Sequence, residues 1–217
     1  MRGDRIINLT FHGIGEPQRP LEPEEHQVWL DSCQLESVLD LVAGRSDIRI
    51  TFDDGNASDL EYALPELQRR GLTATFFLIA GRLGAPGFVD ESGARALADA
   101  GMEIGCHGMR HRPWRRLDEV GLREELVQAR RVLEGVIKRP VTDAACPFGS
   151  YDSRVLRALR RHGYRRAYTS DPGTAHLQNW IQARNTVRPG DIEGLLAEAS
   201  TTHGWVGRAR LAIKRWR

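Results

Sequence analysis

Short apolar runs, each about the length of one strand, recur along this 217-residue chain with longer amphipathic segments between them. That alternation restricts the fold more than any other feature. IINLTF (6–11), IRITF (48–52), TATFFLIA (73–80), MEIG (102–105) and the runs at 141–146, 165–169 and 181–184 read as strands. Residues 31–43 carry Leu35, Val38, Leu39 and Val42 at helical spacing, and residues 57–70 carry Leu60, Leu64 and Leu67 before a stop at Gly71. Further helices are predicted over 91–100, over 117–138 with Leu117, Val120, Leu126, Leu133 and Ile137 toward the core, and over 152–162. A repeating strand–helix order joins parallel strands through right-handed crossovers. About seven strands predict an α/β fold, an incomplete or distorted (β/α) barrel, with an open doubly wound sheet as the alternative.

Composition sets the outer limits. With 41% hydrophobic and 28% charged residues, the chain reads as one globular domain over 1–217 that buries a core without staples. A net charge of +2 argues against a dedicated nucleic-acid binder. Cys33, Cys106 and Cys146 form no C-x-x-C pair, so neither a zinc ribbon nor a redox motif is signalled. The N-terminal MRGDRIINLTFHGIG has no leader-like apolar stretch, and no run approaches the roughly 18 apolar residues of a membrane span. The expectation is a cytoplasmic protein. The tail GWVGRARLAIKRWR (204–217) holds five basic residues and no acidic one. It predicts a basic helix that covers the barrel bottom or touches the inner face of the membrane peripherally.

In parallel α/β folds, chemistry sits at the C-terminal ends of strands. Asp53 and Asp54 end one strand, His107 follows MEIG, Pro147 and Phe148 follow 141–146, and His12 follows 6–11. Two adjacent carboxylates at a buried strand end repel each other and lose solvation, unless a cation neutralises one of them. His107 and His111, four apart, have a spacing used for divalent metals. A cation would leave the second carboxylate free to act as a base.

Thr51–Gly55 (TFDDG), His107-Gly-Met-Arg-His111 and Ala145-Cys-Pro-Phe-Gly149 occur in this order. Across residues 6–185 the chain resembles the NodB-like polysaccharide deacetylases of carbohydrate esterase family 4. The resemblance implies a metal-dependent amide hydrolase acting on an N-acetylated amino sugar in cell-surface or exopolysaccharide synthesis. It implies one divalent ion, zinc first, held by Asp54, His107 and His111. Asp53 would take the proton of the attacking water, and the backbone N–H of Phe148 would help stabilise the oxyanion. His12 is preferred over His203 as the acid for the leaving amine. Pro147, Trp114 and Arg184 are expected at the substrate.

The chain departs from the family pattern where Ala145 replaces the arginine of the third motif. Arg184 either takes over that arginine's place or forms a structural salt bridge. The departure keeps open a catalytically impaired binding or scaffold protein; a hydrolase of other C–N bonds, such as a deformylase, is a further alternative. Ser58 and Asp59 are expected to cap the helix after Gly55, Asp171 to sit in a turn, and Cys106 to pack away from the metal.

Overall fold

The computed structural model describes residues 4–190 and 192–200. His203 and the basic tail at 204–217 lie outside the described residues. Strands β1 (Arg5–Phe11), β2 (Ile48–Asp54), β3 (Ala74–Leu78), β4 (Glu103–Cys106), β5 (Asp143–Ala145) and β6 (Arg166–Tyr168) pair in parallel in chain order. Three short strands follow, β7 (Ala175–His176), β8 (Ile181–Gln182) and β9 (Asn185–Thr186). β8 adds to β6, while β9 pairs with the far half of β1 and β7 runs antiparallel to its near half. The segment from β8 to β9 therefore crosses from the last strand back to the first. Asn8 ties this crossing down by donating from Nδ2 to Gln182 Oε1 (3.2 Å) and to the Ala183 carbonyl (2.8 Å). The sheet is a nearly closed barrel, not an open doubly wound sheet.

Alternation along the strands creates two cores. Phe11, Phe52 and Phe76 are register partners on adjacent strands, stacked 5.0 and 4.8 Å apart, and face the helical layer. Their neighbours Thr10, Thr51, Asp53 and Phe77 face the barrel interior, where Phe77, Ala145 and Tyr168 form a separate cluster.

Helices α1 (Ser32–Val42), α2 (Leu64–Arg69), α3 (Glu91–Asp99), α4 (Glu119–Arg123), α5 (Ala129–Ile137), α6 (Ser153–Arg161) and α7 (Ile192–Ser200) complete the described elements. Asp31, Asp90, Asp118 and Asp152 cap α1, α3, α4 and α6 by accepting a backbone N–H three residues on, worth about 1 kcal/mol each.

Two helix expectations are corrected. The 57–70 segment opens with a π-helical turn at 59–63, and the 117–138 segment carries another at 124–128 between α4 and α5. Val120 is 78% exposed rather than in the core, because it lies in the first turn, on the face away from the sheet. Ser58 and Asp59 do not cap. The Ser58 hydroxyl accepts the Ile14 N–H, and Asp59 is fully buried with no hydrogen-bond partner on either oxygen. Among the described residues, no helix is long and apolar enough to cross a membrane.

Candidate active site

At the C-terminal mouth of the barrel a cavity of about 230 Å³ is lined by His12, Asp53, Asp54, His107, His111 and Phe148, with the loop after β1 forming one wall. A larger cavity of about 320 Å³ opens at the opposite end. The described residues form one His/Cys/Asp/Glu cluster with metal-ligand spacing, and it lies at the C-terminal mouth. That is also the end where parallel barrels keep their chemistry.

Each of these side chains is set by its place at a strand end. Asp53 is the register partner of Phe77 and points inward, while Asp54, the last residue of β2, adopts φ 77°. His107 follows β4, anchored by its N–H to the Leu78 carbonyl at 2.9 Å. Five described non-glycine residues have positive φ. Asp54, His111 (54°), Phe148 (56°) and Glu24 (67°) all line this pocket, and Lys138 caps α5 elsewhere. Such conformations cost roughly 1–3 kcal/mol each and concentrate at functional sites.

Asp54 Oδ1 lies 3.5 Å from His107 Nε2 and 3.3 Å from His111 Nε2. Three ligand atoms about 2.1 Å from a tetrahedral ion would be spaced about 3.4 Å apart. The chosen atoms of the three residues lie within 4.8 Å of one another. Asp54 Oδ1 is buried with no hydrogen-bond partner, an orphaned acceptor aimed at this space. His107 Nδ1 meets the Ala145 carbonyl at 2.9 Å, which sets the tautomer that leaves Nε2 free as a ligand. Burial lowers the His107 pKa to about 3, against the opposing pull of Asp53. Burial, and then the Arg82 charge, also lower His111. Both imidazoles are therefore neutral at pH 7, as ligation requires. Burial raises Asp54 to about 6, with His12 pulling down and Asp53 pushing up. The donor set fits a divalent cation.

Asp53 is built differently. Arg184 grips both its oxygens, at 2.6 and 2.7 Å, in a pair that is 2% and 3% exposed. Burial alone would raise this carboxyl, but Arg184, then His107, outweigh it and hold it well below the usual carboxylate range. Arg184 is the second residue of the β8–β9 crossing. It donates from Nε to the Thr169 carbonyl (3.1 Å) and from its backbone N–H to the Asp171 carbonyl (3.0 Å). Its guanidinium lies 5.3 and 5.9 Å from the Phe77 and Tyr168 rings, the two residues that pack with Ala145. An arginine from a late crossing thus pairs with Asp53 and lies over the two rings that Ala145 also packs against. Asp171 is a buried residue supporting this crossing, and its carboxylate accepts the Tyr151 hydroxyl.

Three expected substrate contacts are corrected. Arg184 is enclosed behind Asp53 and does not line the pocket. Trp114 is fully buried, its indole N–H directed at Glu125 (3.4 Å). Pro147 is buried and opens the turn that presents Phe148. Phe148 is 61% exposed, with its ring centroid 4.4 Å from that of His111. His12 lines the pocket, with Nδ1 buried and unpartnered. Cys106 is buried against the 124–128 turn, its thiol pushed up to about 11 by burial.

The residue missed outright is Glu125. It is fully buried in the π-helical turn and accepts the N–H groups of Met109 (2.9 Å) and Arg110 (3.2 Å) and Nε of Arg112 (2.9 Å). Its carboxylate shapes the loop that carries both histidines. Gly108, at φ 87°, leaves it room, since a Cβ there would lie 2.2 Å from Glu125 Oε2. In the sequence Glu125 stands beside Glu124 on a charged helix face and looks solvated.

The sequence pattern of the polysaccharide deacetylases matches residues 42–167, more than half of the chain, and the chain belongs to that family. YxkH of Bacillus subtilis is 27% identical over 194 residues, covering 83% of this chain and 70% of that protein. A polysaccharide deacetylase from Bacillus cereus superposes with a TM-score of 0.76 at 19% identity, over 90% of this chain and 69% of the other. The deacetylase PplD of Streptococcus pyogenes, solved with acetate, gives 0.75 at 17% identity, over 91% and 99%. These structures share the barrel.

Proposed function

We propose that this chain is a metal-dependent de-N-acetylase that hydrolyses the acetamide of an N-acetylated amino sugar. The observation that carries this is the convergence of a ligand triad (Asp54, His107, His111) with a separate carboxylate, Asp53, kept ionised by Arg184. Asp54, His107 and His111 would hold one divalent ion, zinc first. When bound, it would polarise the acetamide carbonyl and acidify the attacking water.

Asp53 accepts the proton of that water. Its two hydrogen bonds to Arg184 fix its orientation and keep it charged. His12, which also lines the pocket, gives a proton of its own to the leaving nitrogen. The backbone N–H of Phe148 is the expected donor to the oxyanion, and the Phe148 ring at the mouth offers an apolar face to the sugar. At about 230 Å³ the cavity is smaller than most ligand pockets, which run roughly 300–1,000 Å³. This favours recognition of one amino-sugar residue, within a glycan or in a lipid- or nucleotide-linked precursor of a surface polysaccharide.

The test is metal content together with acetate release from N-acetylglucosamine oligomers. Wild type should hold about one zinc per chain, His107→Ala should lose it, and Asp53→Asn should keep the ion and lose turnover. A wild-type protein that takes up no divalent ion when supplied with one would overturn the proposal in favour of a scaffold role.

A further inference from the structure

We infer that Glu22, on the loop after β1, is an outer partner of His111 and so a positioning residue of the proposed metal centre. The inference rests on the metal-site reading above and concerns a residue outside the 42–167 family match.

His111 aims Nε2 at Asp54, so Nδ1 faces away from the ligand cluster. That Nδ1 is buried and has no hydrogen-bond partner. The carboxylate facing it is Glu22, with Oε2 at 3.9 Å. A ligating imidazole generally gives its second N–H to a carboxylate or carbonyl, which fixes the ring and raises its basicity. His107 already has such a partner in the Ala145 carbonyl. Glu22 supplies the counterpart for His111 and needs to move by less than an ångström to bond it.

Glu22 is also held at this spot. Its Oε1 accepts Arg82 Nη2 at 2.6 Å, and its backbone N–H donates to Glu25 Oε2 at 2.8 Å. Glu25 pairs with Arg19, whose guanidinium reaches Asn56 Oδ1 (2.8 Å) just past the Asp54 turn. Arg82 is fixed to the histidine loop, because the preceding Ala80 and Gly81 donate to the carbonyls of Gly108 (2.9 Å) and Met109 (3.0 Å). The loop after β1 is thereby keyed to the segment that carries His107 and His111.

The test is zinc affinity by competition with a chelating dye, on the full chain, with thermal melts in EDTA as the check on folding. Glu22→Ala should bind zinc about 10–100-fold more weakly, the usual effect of losing such a partner. Glu22→Gln keeps an acceptor oxygen without the charge and should fall between. Glu16→Gln, which removes a charge from an exposed position on the same loop, should match wild type. A Glu22→Ala affinity within about twofold of wild type, against the expected effect, would overturn the inference. A Glu16→Gln loss equal to that of Glu22→Ala would do the same, because charge on the loop rather than the contact with His111 would then account for the effect. If wild type binds zinc and His107→Ala does not, those failures leave the active-site reading standing; if wild type binds none, both fall.

Discussion

Replacing Arg184 by methionine tests the central ionic contact of the site. The wild-type pair is bidentate and almost fully enclosed. Removing one partner of a buried pair leaves a desolvated charge and costs about 3–5 kcal/mol, whereas exposed pairs contribute about 0.2–1 kcal/mol. For a domain of this size that lowers Tm by roughly 6–20 °C. The pH dependence carries the sharper signature. In wild type the Asp53 carboxyl is held below its unfolded value, so the stabilisation is present above about pH 4 and lost as pH falls further. In the variant, burial loses its main opponent and lifts Asp53 above the unfolded value. Stability should then be regained as pH drops through that raised value, and the gap from wild type should narrow. Urea unfolding in EDTA at about pH 7.5 and about pH 5 measures both quantities. A loss under about 1 kcal/mol, or one identical at the two pH values, would refute the reasoning. Because Ala145 packs against the same rings as the Arg184 guanidinium, adding Ala145→Arg to Arg184→Met should restore part of the lost stability.

Glu125→Ala strips the acceptor from the Met109, Arg110 and Trp114 donors, and should cost about 3 kcal/mol or more and weaken zinc binding; melts and dye competition read the two effects. Gly108→Ala should produce the same pair of losses from the opposite side, by forcing a Cβ against that carboxylate at positive φ. Proton competition for the ion should come from Asp54, at about 6, since His107, at about 3, is already neutral. Zinc affinity should be level above about pH 6 and fall about tenfold per unit just below it; a titration with no break there would contradict the Asp54 assignment. In EDTA the sign reverses. Asp54 sits above its unfolded value, so the metal-free protein should gain stability from this group as pH falls from 7 through 6, and Asp54→Asn should abolish that gain.

The periodicity of this chain was enough to place β1 to β6, β8, the helical segments up to α6 and the C-terminal mouth. Strand and helix patterns are local, and parallel topology leaves few other ways to arrange them. Asp53, Asp54, His107 and His111 were legible for the same reason: each sits at or just beyond a readable strand end, and two of the motifs are short and contiguous. The tertiary structure decided what depends on long-range contact. Arg184 lies 131 residues from Asp53, on a crossing of two-residue strands too short to have a period, and only closure of the barrel brings its guanidinium to the carboxylate. Glu125 looked solvated until packing turned a π-helical segment inward against the histidine loop. Trp114 adjoins one motif and Pro147 lies within another, yet both are buried, since sequence position fixes which loop a residue shares but not which side of the backbone it faces. Residue order determined the site's inventory, and closure of the sheet determined which charges meet there.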